Sequence, residues 1–259
     1  MASPPRPADG AVNSVARAIA VLRALGDAPG DLTLGEISER SGVPRSSVHR
    51  IVQTLRQAGF VAASNGGGGV RLGPAVAELA SLSRAQLTPL VRPHLEQLSR
   101  RLEEGASLAV LDGDEVRFLD QAITGQGLRA VSLVGARFPA HCTANGKALL
   151  AALPRPTLDA LLPARLQRLT ARTIASRGAL LAELEEVRRA GVAFDREEHA
   201  EGICAVGRVV RDAAGNLAAV TVALPAARFY GREQELAAAL TQATAQIDAA
   251  LAFGHEPAA

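Results

Sequence analysis

Residues 33–56, TLGEISERSGVPRSSVHRIVQTLR, contain the signals of two short helices joined by a tight turn. Thr33 and Glu36 have the spacing of a capping box, in which the hydroxyl and the carboxylate each accept a hydrogen bond from a free backbone N–H. The helix that they open ends at Gly42, and Pro44 stands where a second helix can begin. Two helices joined by a glycine turn predict a helix-turn-helix.

The second helix of this motif is amphipathic. Its apolar residues recur at i, i+3, i+4 and i+7 and form one stripe, Val48, Ile51, Val52 and Leu55. A helix that begins at Asn13 or Ser14 precedes the motif, and a hairpin over residues 59–72 follows it, so the segment is predicted to be a winged helix. Because the second helix of such a motif enters the major groove, we predict that its polar face binds double-stranded DNA. The predicted DNA-binding residues are Arg45, Ser46, Ser47, His49, Arg50 and, in the wing, Arg71.

The charge distribution supports this prediction. Residues 1–75 hold eight arginines against five acids, and between Arg40 and Arg71 there are five arginines and no acid. Arginine can bind guanine and phosphate, whereas the rest of the chain is close to neutral. The alternative is an ordinary three-helix core with a solvated basic surface.

The composition excludes several classes of protein. With 48% hydrophobic and 21% charged residues, the 259-residue chain can bury a core and differs from disordered chains. No apolar run approaches the ~18–20 residues of a membrane span, and residues 1–10 lack the apolar region of a secretory signal. Two cysteines do not form a disulfide framework, so a cytoplasmic protein is predicted.

The pattern changes after Gly73-Pro74. A linker helix is predicted over residues 75–85 and a separate helix over 91–103. Strands are predicted at 106–111, 115–122, 128–134, 192–195, 203–211 and 217–224, with helices at 143–153, 157–162, 179–189 and 230–251. This order predicts an α+β fold with an antiparallel sheet flanked by helices. The predicted domains are 11–73 (winged helix-turn-helix), 74–87 (linker helix) and 88–254.

Three stretches resemble the IclR-type family of bacterial transcriptional regulators. Residues 135–151, GARFPAHCTANGKALLA, resemble its C-terminal signature, and residues 188–203 resemble its second block. Residues 34–50 resemble its helix-turn-helix. The likeness covers about residues 11–253 and implies a winged-helix domain, a linker helix and a GAF-like effector-binding domain. It also implies dimers or tetramers that control a neighbouring operon. In one departure, Val209 replaces a common proline and an arginine stands at 208.

The resemblance also implies an effector pocket. Its positions are Phe138, Ala144, Asn145, Asp195, Ile203 and Ala205, with Gly127 and Ala130 on a preceding strand. From the residues themselves, Thr143 can cap a helix whose N-terminus offers free N–H groups to an anion. Arg129 and Arg137 are possible charge partners, so the predicted effector is a small organic acid. Lys147 is predicted to be a surface cation.

Other kinds of site have weaker support in the sequence. His141, Cys142, His199 and Cys204 lack metal-ligand spacing, so no metal and no cofactor are predicted. Cys142 with His199 suggests a nucleophile pair, but no motif supplies a base or an oxyanion hole, and an enzyme is not predicted. A thiol-based redox-sensing DNA-binding regulator, switched at Cys142 or Cys204, is the alternative function.

The sequence therefore predicts a sequence-specific DNA-binding repressor whose operator affinity is controlled by a small organic acid. One helix-turn-helix contacts only a few base pairs, so we expect a homodimer, or a homotetramer, on a near-palindromic operator. The helix over residues 75–85 has one apolar face and is the candidate pairing element.

Overall fold

The computed structural model describes residues 13–28, 30–64, 68–123, 125, 130, 133–212 and 215–253. The chain forms two compact units that divide between Arg84 and Ala85. Each unit has its own apolar core, and each is described by itself.

The first unit is a winged helix-turn-helix, as predicted. It consists of α1 (Asn13–Gly26), α2 (Leu34–Ser41), α3 (Arg45–Gln57), β1 (Val61–Ala63) and β2 (Val70–Leu72). The two strands pair antiparallel, and Leu32 adds a bridge to Val70. Apolar residues of all three helices and of the wing share one core, and Val48 and Val52 of α3 are buried in it.

The turn between α2 and α3 follows from local chemistry. The Thr33 N–H donates to Glu36 Oε2 at 2.8 Å, and the Glu36 N–H donates to Thr33 Oγ1 at 3.3 Å, which completes the capping box. Gly42 ends α2 with φ of 68°, a left-handed conformation that glycine adopts without steric cost. Pro44 is the residue directly before α3.

The prediction of two helices between residues 75 and 103 is wrong. One continuous helix, α4 (Pro74–Leu102), contains Pro89 and Pro93 in its interior. The two prolines are four residues apart and both are exposed, so they lie on one solvent-facing side of the helix. Water can hydrate the carbonyls that lose their N–H donors there, and the apolar residues Val91 and Leu95 remain buried on the other side.

A six-stranded antiparallel sheet forms the centre of the second unit. Its strands are β3 (Gly105–Asp112), β4 (Glu115–Ala122), β5 (Arg137–Pro139), β6 (Ala193–Arg196), β7 (Ile203–Arg211) and β8 (Leu217–Pro225). Their order is β5-β4-β3-β8-β7-β6. The strand predicted over 128–134 is not found: residues 130, 133 and 134 lie outside any strand, and residues 128, 129, 131 and 132 lie outside the described part.

Helices cover both faces of this sheet, so the α+β prediction is confirmed. One face packs against the last turns of α4 and against α9 (Glu233–Phe253), with the short α8 (Ala226–Phe229) beside them. The other packs against α5 (Ala144–Ala151), α6 (Arg155–Leu161) and α7 (Arg177–Ala190). The final helix begins at Glu233, three residues after the predicted start. Among the described helices none is both long and apolar enough to cross a membrane.

Two glycines allow α5 to lie directly on its neighbours. A Cβ at Gly146 would lie 2.2 Å from the carbonyl oxygen of Ala140, in the 3₁₀ turn before α5. A Cβ at Gly207 of β7 would lie 2.7 Å from the carbonyl carbon of Ala144. Both are backbone clashes, so a larger residue at Gly146 would push α5 away from the 3₁₀ turn, and one at Gly207 would push its N-terminus away from the sheet.

Candidate functional site

The polar face of α3 is open to solvent. Four of the predicted DNA-binding side chains on this helix are exposed and Ser47 is half-buried. Arg71 is exposed on the second strand of the wing. The buried Val48 and Val52 fix the helix against the core, so the exposed face is presented on a rigid element. The exposed four are Arg45, Ser46, His49 and Arg50.

A cavity of about 310 Å³ in the second unit, which we call the effector cavity, lies beside the N-terminus of α5. Eight residues that the sequence singled out line it: Ala130, Phe138, Thr143, Ala144, Asn145, Asp195, Ile203 and Ala205. Gly127 and Arg129 lie outside the described residues. Sequence reasoning missed six further lining residues, Ser107, Phe118, His199, Ala200, Thr221 and Ala223.

Polar atoms in the effector cavity have hydrogen-bonding capacity to spare. Thr143 caps α5 by accepting the Gly146 N–H at 3.3 Å, and Asn145 Oδ1 accepts the same N–H at 3.0 Å. Asn145 Nδ2 and Thr221 Oγ1 are buried and have no hydrogen-bond partner among the described residues. Since an unpaired buried polar group is costly, a polar ligand would stabilise both.

Asp195 is the one acid among the described residues that line this cavity. Only 4% of it is exposed, and its Oδ1 accepts the N–H of Glu198 at 2.7 Å and, more weakly, that of His199. Burial raises the pKa of Asp195 to about 7, against the lowering effect of these N–H groups. The carboxyl can therefore be neutral at physiological pH and donate a hydrogen bond.

The prediction that Lys147 is a surface cation is wrong. Its side chain is 0% exposed, and Nζ lies 2.6 Å from Glu198 Oε1 and 3.0 Å from Glu183 Oε1. All eight residues of α5 are buried, so this helix has no solvent face on which a lysine could lie. A sequence signal did exist, because Lys147 is the only lysine in a chain of 27 arginines and precedes an unbroken apolar run.

Arg137 does not serve the effector cavity. It lies on β5, half-exposed, with its guanidinium paired to Asp112 and, at 3.3 Å, to Glu115. Both acids flank the β3–β4 turn, so this arginine links the edge strand β5 to that turn. The assignment of Arg137 as a charge partner for an anion is therefore wrong.

One wall of the cavity is aromatic. The ring of His199 stacks on Phe138 with centroids 4.2 Å apart, and Phe118 meets Phe138 edge to face at 5.2 Å. Burial lowers the pKa of His199, so its imidazole is neutral at pH 7. A neutral aromatic wall suits a planar apolar body.

The two cysteines do not have the features of redox sensors. Both are free and buried. Burial raises the pKa of Cys142 to about 12, and it also raises the pKa of Cys204. Because reactive thiols are accessible and ionised, these two have the character of core residues. Within the described residues, no three metal-ligating side chains come together.

The burial of Asp195 predicts a specific pH dependence of stability. Its folded pKa, about 7, exceeds the ordinary value of 3.8, so between these values the folded chain holds the extra proton. The stabilisation is complete below pH 4 and is lost as pH rises through 7, by at most about 1.4 kcal/mol per pH unit. Asp195→Asn keeps the oxygen that accepts the Glu198 N–H and should flatten this component. Urea unfolding of both proteins from pH 5 to 8 measures it, and parallel profiles would contradict the assignment.

Comparison with known proteins places this geometry in a family. Residues 14–64 match the IclR helix-turn-helix domain, and residues 79–249 match the C-terminal domain of the bacterial transcriptional regulator IclR. The chain is 49% identical to the HTH-type transcriptional regulator Rv1719 of Mycobacterium tuberculosis, over 93% of each chain. It is 30% identical to the transcriptional repressor IclR of Escherichia coli, over 96% of this chain and 92% of that one.

A solved structure extends the likeness to the fold. An IclR homologue from Microbacterium hydrocarbonoxydans, crystallised in complex with 4-hydroxybenzoate, superposes with a TM-score of 0.59 at 27% identity, covering 92% of this chain and 99% of that one. The relatives are named as transcriptional regulators, not as enzymes. The protein belongs to the IclR family of bacterial transcriptional regulators.

Proposed function

We propose that this regulator is a cytoplasmic repressor whose operator affinity is set by a small organic acid bound in the effector cavity. The observation that carries the proposal is Asn145 Nδ2, which is buried beside the N-terminus of α5 and has no hydrogen-bond partner among the described residues. The repressor assignment is supported by the name of the Escherichia coli relative. A homodimer or homotetramer on a near-palindromic operator is part of the same proposal, because one winged helix contacts few base pairs.

The N-terminus of α5 and Asn145 favour a carboxylate. The free N–H groups of the first helical turn carry partial positive charge, and Asn145 Nδ2 adds a donor. Lys147 is already paired with two glutamates and adds little to the attraction. Asp195 is compatible with an anion in its protonated form and repels one when ionised. Carboxylate binding should therefore weaken as pH rises above 7.

The size and lining of the cavity favour a ligand of about one ring. About 310 Å³ is at the small end of ligand sites. The stacked Phe138 and His199 offer a planar apolar surface, and Thr221 Oγ1 can bind a hydroxyl or a second polar group. The 4-hydroxybenzoate bound by the Microbacterium relative has this combination of ring, hydroxyl and carboxylate.

Control of DNA binding requires that the effector bind two arrangements of the protein with different affinity. A coupling free energy of ~1–3 kcal/mol corresponds to about a 5–150-fold change in operator affinity. Arg45 and Arg50 of α3 contact the operator in this proposal, with Ser46, Ser47, His49 and Arg71 completing the interface.

A thermal-shift screen tests the class of ligand. Benzoate, 4-hydroxybenzoate and pyruvate are compared with benzamide and benzylamine, which share the ring but are neutral or cationic. We expect only carboxylates to raise Tm. A ligand at ~100 times its Kd stabilises the folded state by about 2.7 kcal/mol, which is visible as a shift in Tm. Neutral or cationic hits alone would refute the anion proposal.

Two substitutions at one position locate the ligand. Asn145→Leu removes the donor, and Asn145→Asp keeps the shape but adds a negative charge. Both should abolish the carboxylate shift, whereas the control Glu186→Gln, on the exposed side of α7, should leave it unchanged. Carboxylate hits that survive both Asn145 substitutions would place the ligand outside the effector cavity.

A further inference from the structure

A second and larger cleft, which we call the arginine cleft, lies at the opposite end of α5. It measures about 610 Å³ and is bounded by the C-terminal residues of α5 and α7, by β7 and by one residue of α9. Three arginines line it, Arg188, Arg208 and Arg211. The only acid among its described lining residues is Asp248.

Two of the arginines are held in place by helix ends. Arg188 Nε donates to the Ala151 carbonyl at 2.6 Å, at the end of α5, and the same guanidinium pairs with Glu185. Arg208 Nη1 donates to the Gly191 carbonyl at 3.1 Å, at the end of α7. Each of these guanidiniums has five N–H donors, so these contacts leave others free for a ligand.

The positive charge of Arg208 and Arg211 is only partly neutralised locally. Neither forms an ion pair within the described part of the chain. Asp248 Oδ1 accepts the backbone N–H of Arg211 at 2.8 Å, and its single negative charge offsets only part of the charge of the two guanidiniums. Two unpaired guanidiniums in one concave site attract negative charge.

The cleft lies where β7 extends past its neighbouring strand β6. Strand β6 pairs only with residues 204–207 of β7, so residues 208–211 have no strand on that side. The cleft therefore lies beyond the end of β6. Arg208 lies at this uncovered edge of the sheet and lines the cleft.

We propose that the arginine cleft is a second ligand site, distinct from the effector cavity, that binds a small polyanion carrying a phosphate group or several carboxylates. The planar guanidinium fork binds phosphate and carboxylate with two parallel hydrogen bonds. Several such forks in one site select a ligand with more than one negative charge. The cleft has about twice the volume of the effector cavity, which accommodates a larger and more hydrated ligand.

The two sites share elements but no lining residues. Ala144 and Asn145 of α5 line the effector cavity, whereas Ala148 and Ala151 line the arginine cleft. The eight residues of α5 span about 12 Å. A variant in one site is therefore a control for the other.

Calorimetric titration of the full chain with inorganic pyrophosphate and with citrate tests the proposal. Acetate at the same ionic strength is the comparison, because a general attraction to positive charge would bind it as well. We expect saturable binding of at least one polyanion. The double variant Arg208→Ala/Arg211→Ala should weaken it at least tenfold. Arg189→Ala removes the same charge from the exposed side of α7, and Asn145→Leu alters only the effector cavity, so both should bind like the unaltered protein.

Arg211→Ala alone keeps the test valid if the double variant is unstable. Arg211 is exposed, and its side chain forms no hydrogen bond with the described residues, so the fold should tolerate the change. We expect this variant to bind the polyanion at least threefold more weakly at unchanged Tm. Absence of saturable binding to both polyanions, equal binding of acetate, or unchanged affinity in Arg211→Ala would overturn the proposal.

Discussion

Lys147→Met is expected to lower the free energy of unfolding by about 3–5 kcal/mol, because removing one partner of a buried ion pair leaves the other charge uncompensated. The orphaned group would be Glu198, whose side chain is 7% exposed. Burial already raises the pKa of Glu198, and the loss of Lys147 would raise it further. The variant can therefore escape part of the cost by protonating Glu198. Urea unfolding followed by circular dichroism should show a smaller loss at pH 5 than at pH 8.

An exposed ion pair provides the matched control. Arg189 pairs with Glu186 on α7, where both side chains are more than 60% exposed. Arg189→Met should cost no more than about 1 kcal/mol, because solvent screens such a pair. The double variant Lys147→Met/Glu198→Met removes both buried charges and should regain part of the loss. Equal effects of Lys147→Met and Arg189→Met would show that the buried pair is not structural.

Arg45→Ala and Arg50→Ala are each expected to weaken operator binding by ~1–3 kcal/mol if the side chains contact base edges. Both are exposed on the first two turns of α3, the part of a recognition helix that enters the major groove. Fluorescence anisotropy at fixed salt measures the change. The operator is a DNA sequence that the purified protein selects in a pull-down.

Arg56 supplies the control for charge. It is exposed at the last turn of the same helix, so Arg56→Ala removes an equal charge away from the predicted base contacts. We expect Arg56→Ala to weaken the binding of specific and of non-specific DNA by a similar factor, because a phosphate contact carries no sequence information. This factor should be smaller than the loss of operator binding in Arg45→Ala or Arg50→Ala. If Arg45→Ala and Arg50→Ala behaved in the same way as Arg56→Ala, α3 would not be the element that recognises sequence.

Local signals in the sequence predicted the parts of the fold that local chemistry determines. The capping box of Thr33 and Glu36 and the left-handed Gly42 fix the turn in the first unit, and both can be recognised from residue types alone. Strand β7 was predicted to the residue, because its apolar run is bounded by turns. The full length of helix α4 was not predicted, because a proline normally ends a helix. Only tertiary packing shows that Pro89 and Pro93 share the solvent side.

The effector cavity was predicted only where contiguous motifs supply its residues. Ser107 and Thr221 are far apart in the sequence and become neighbours through the register of β3 with β8. No local pattern encodes that pairing. The burial of Lys147 also opposes the general tendency of lysine, and it depends on Glu183 and Glu198 from two other segments.

The most direct test of the account is the operator affinity of the full chain with and without the carboxylate that gives the largest thermal shift. At saturating carboxylate, we expect the operator Kd to rise by about 5–150-fold. Asn145→Leu should bind the operator as tightly as the unaltered chain and should no longer respond to the carboxylate. An operator Kd that is the same with and without a bound carboxylate, or an equal response in Asn145→Leu, would contradict control of DNA binding from the effector cavity.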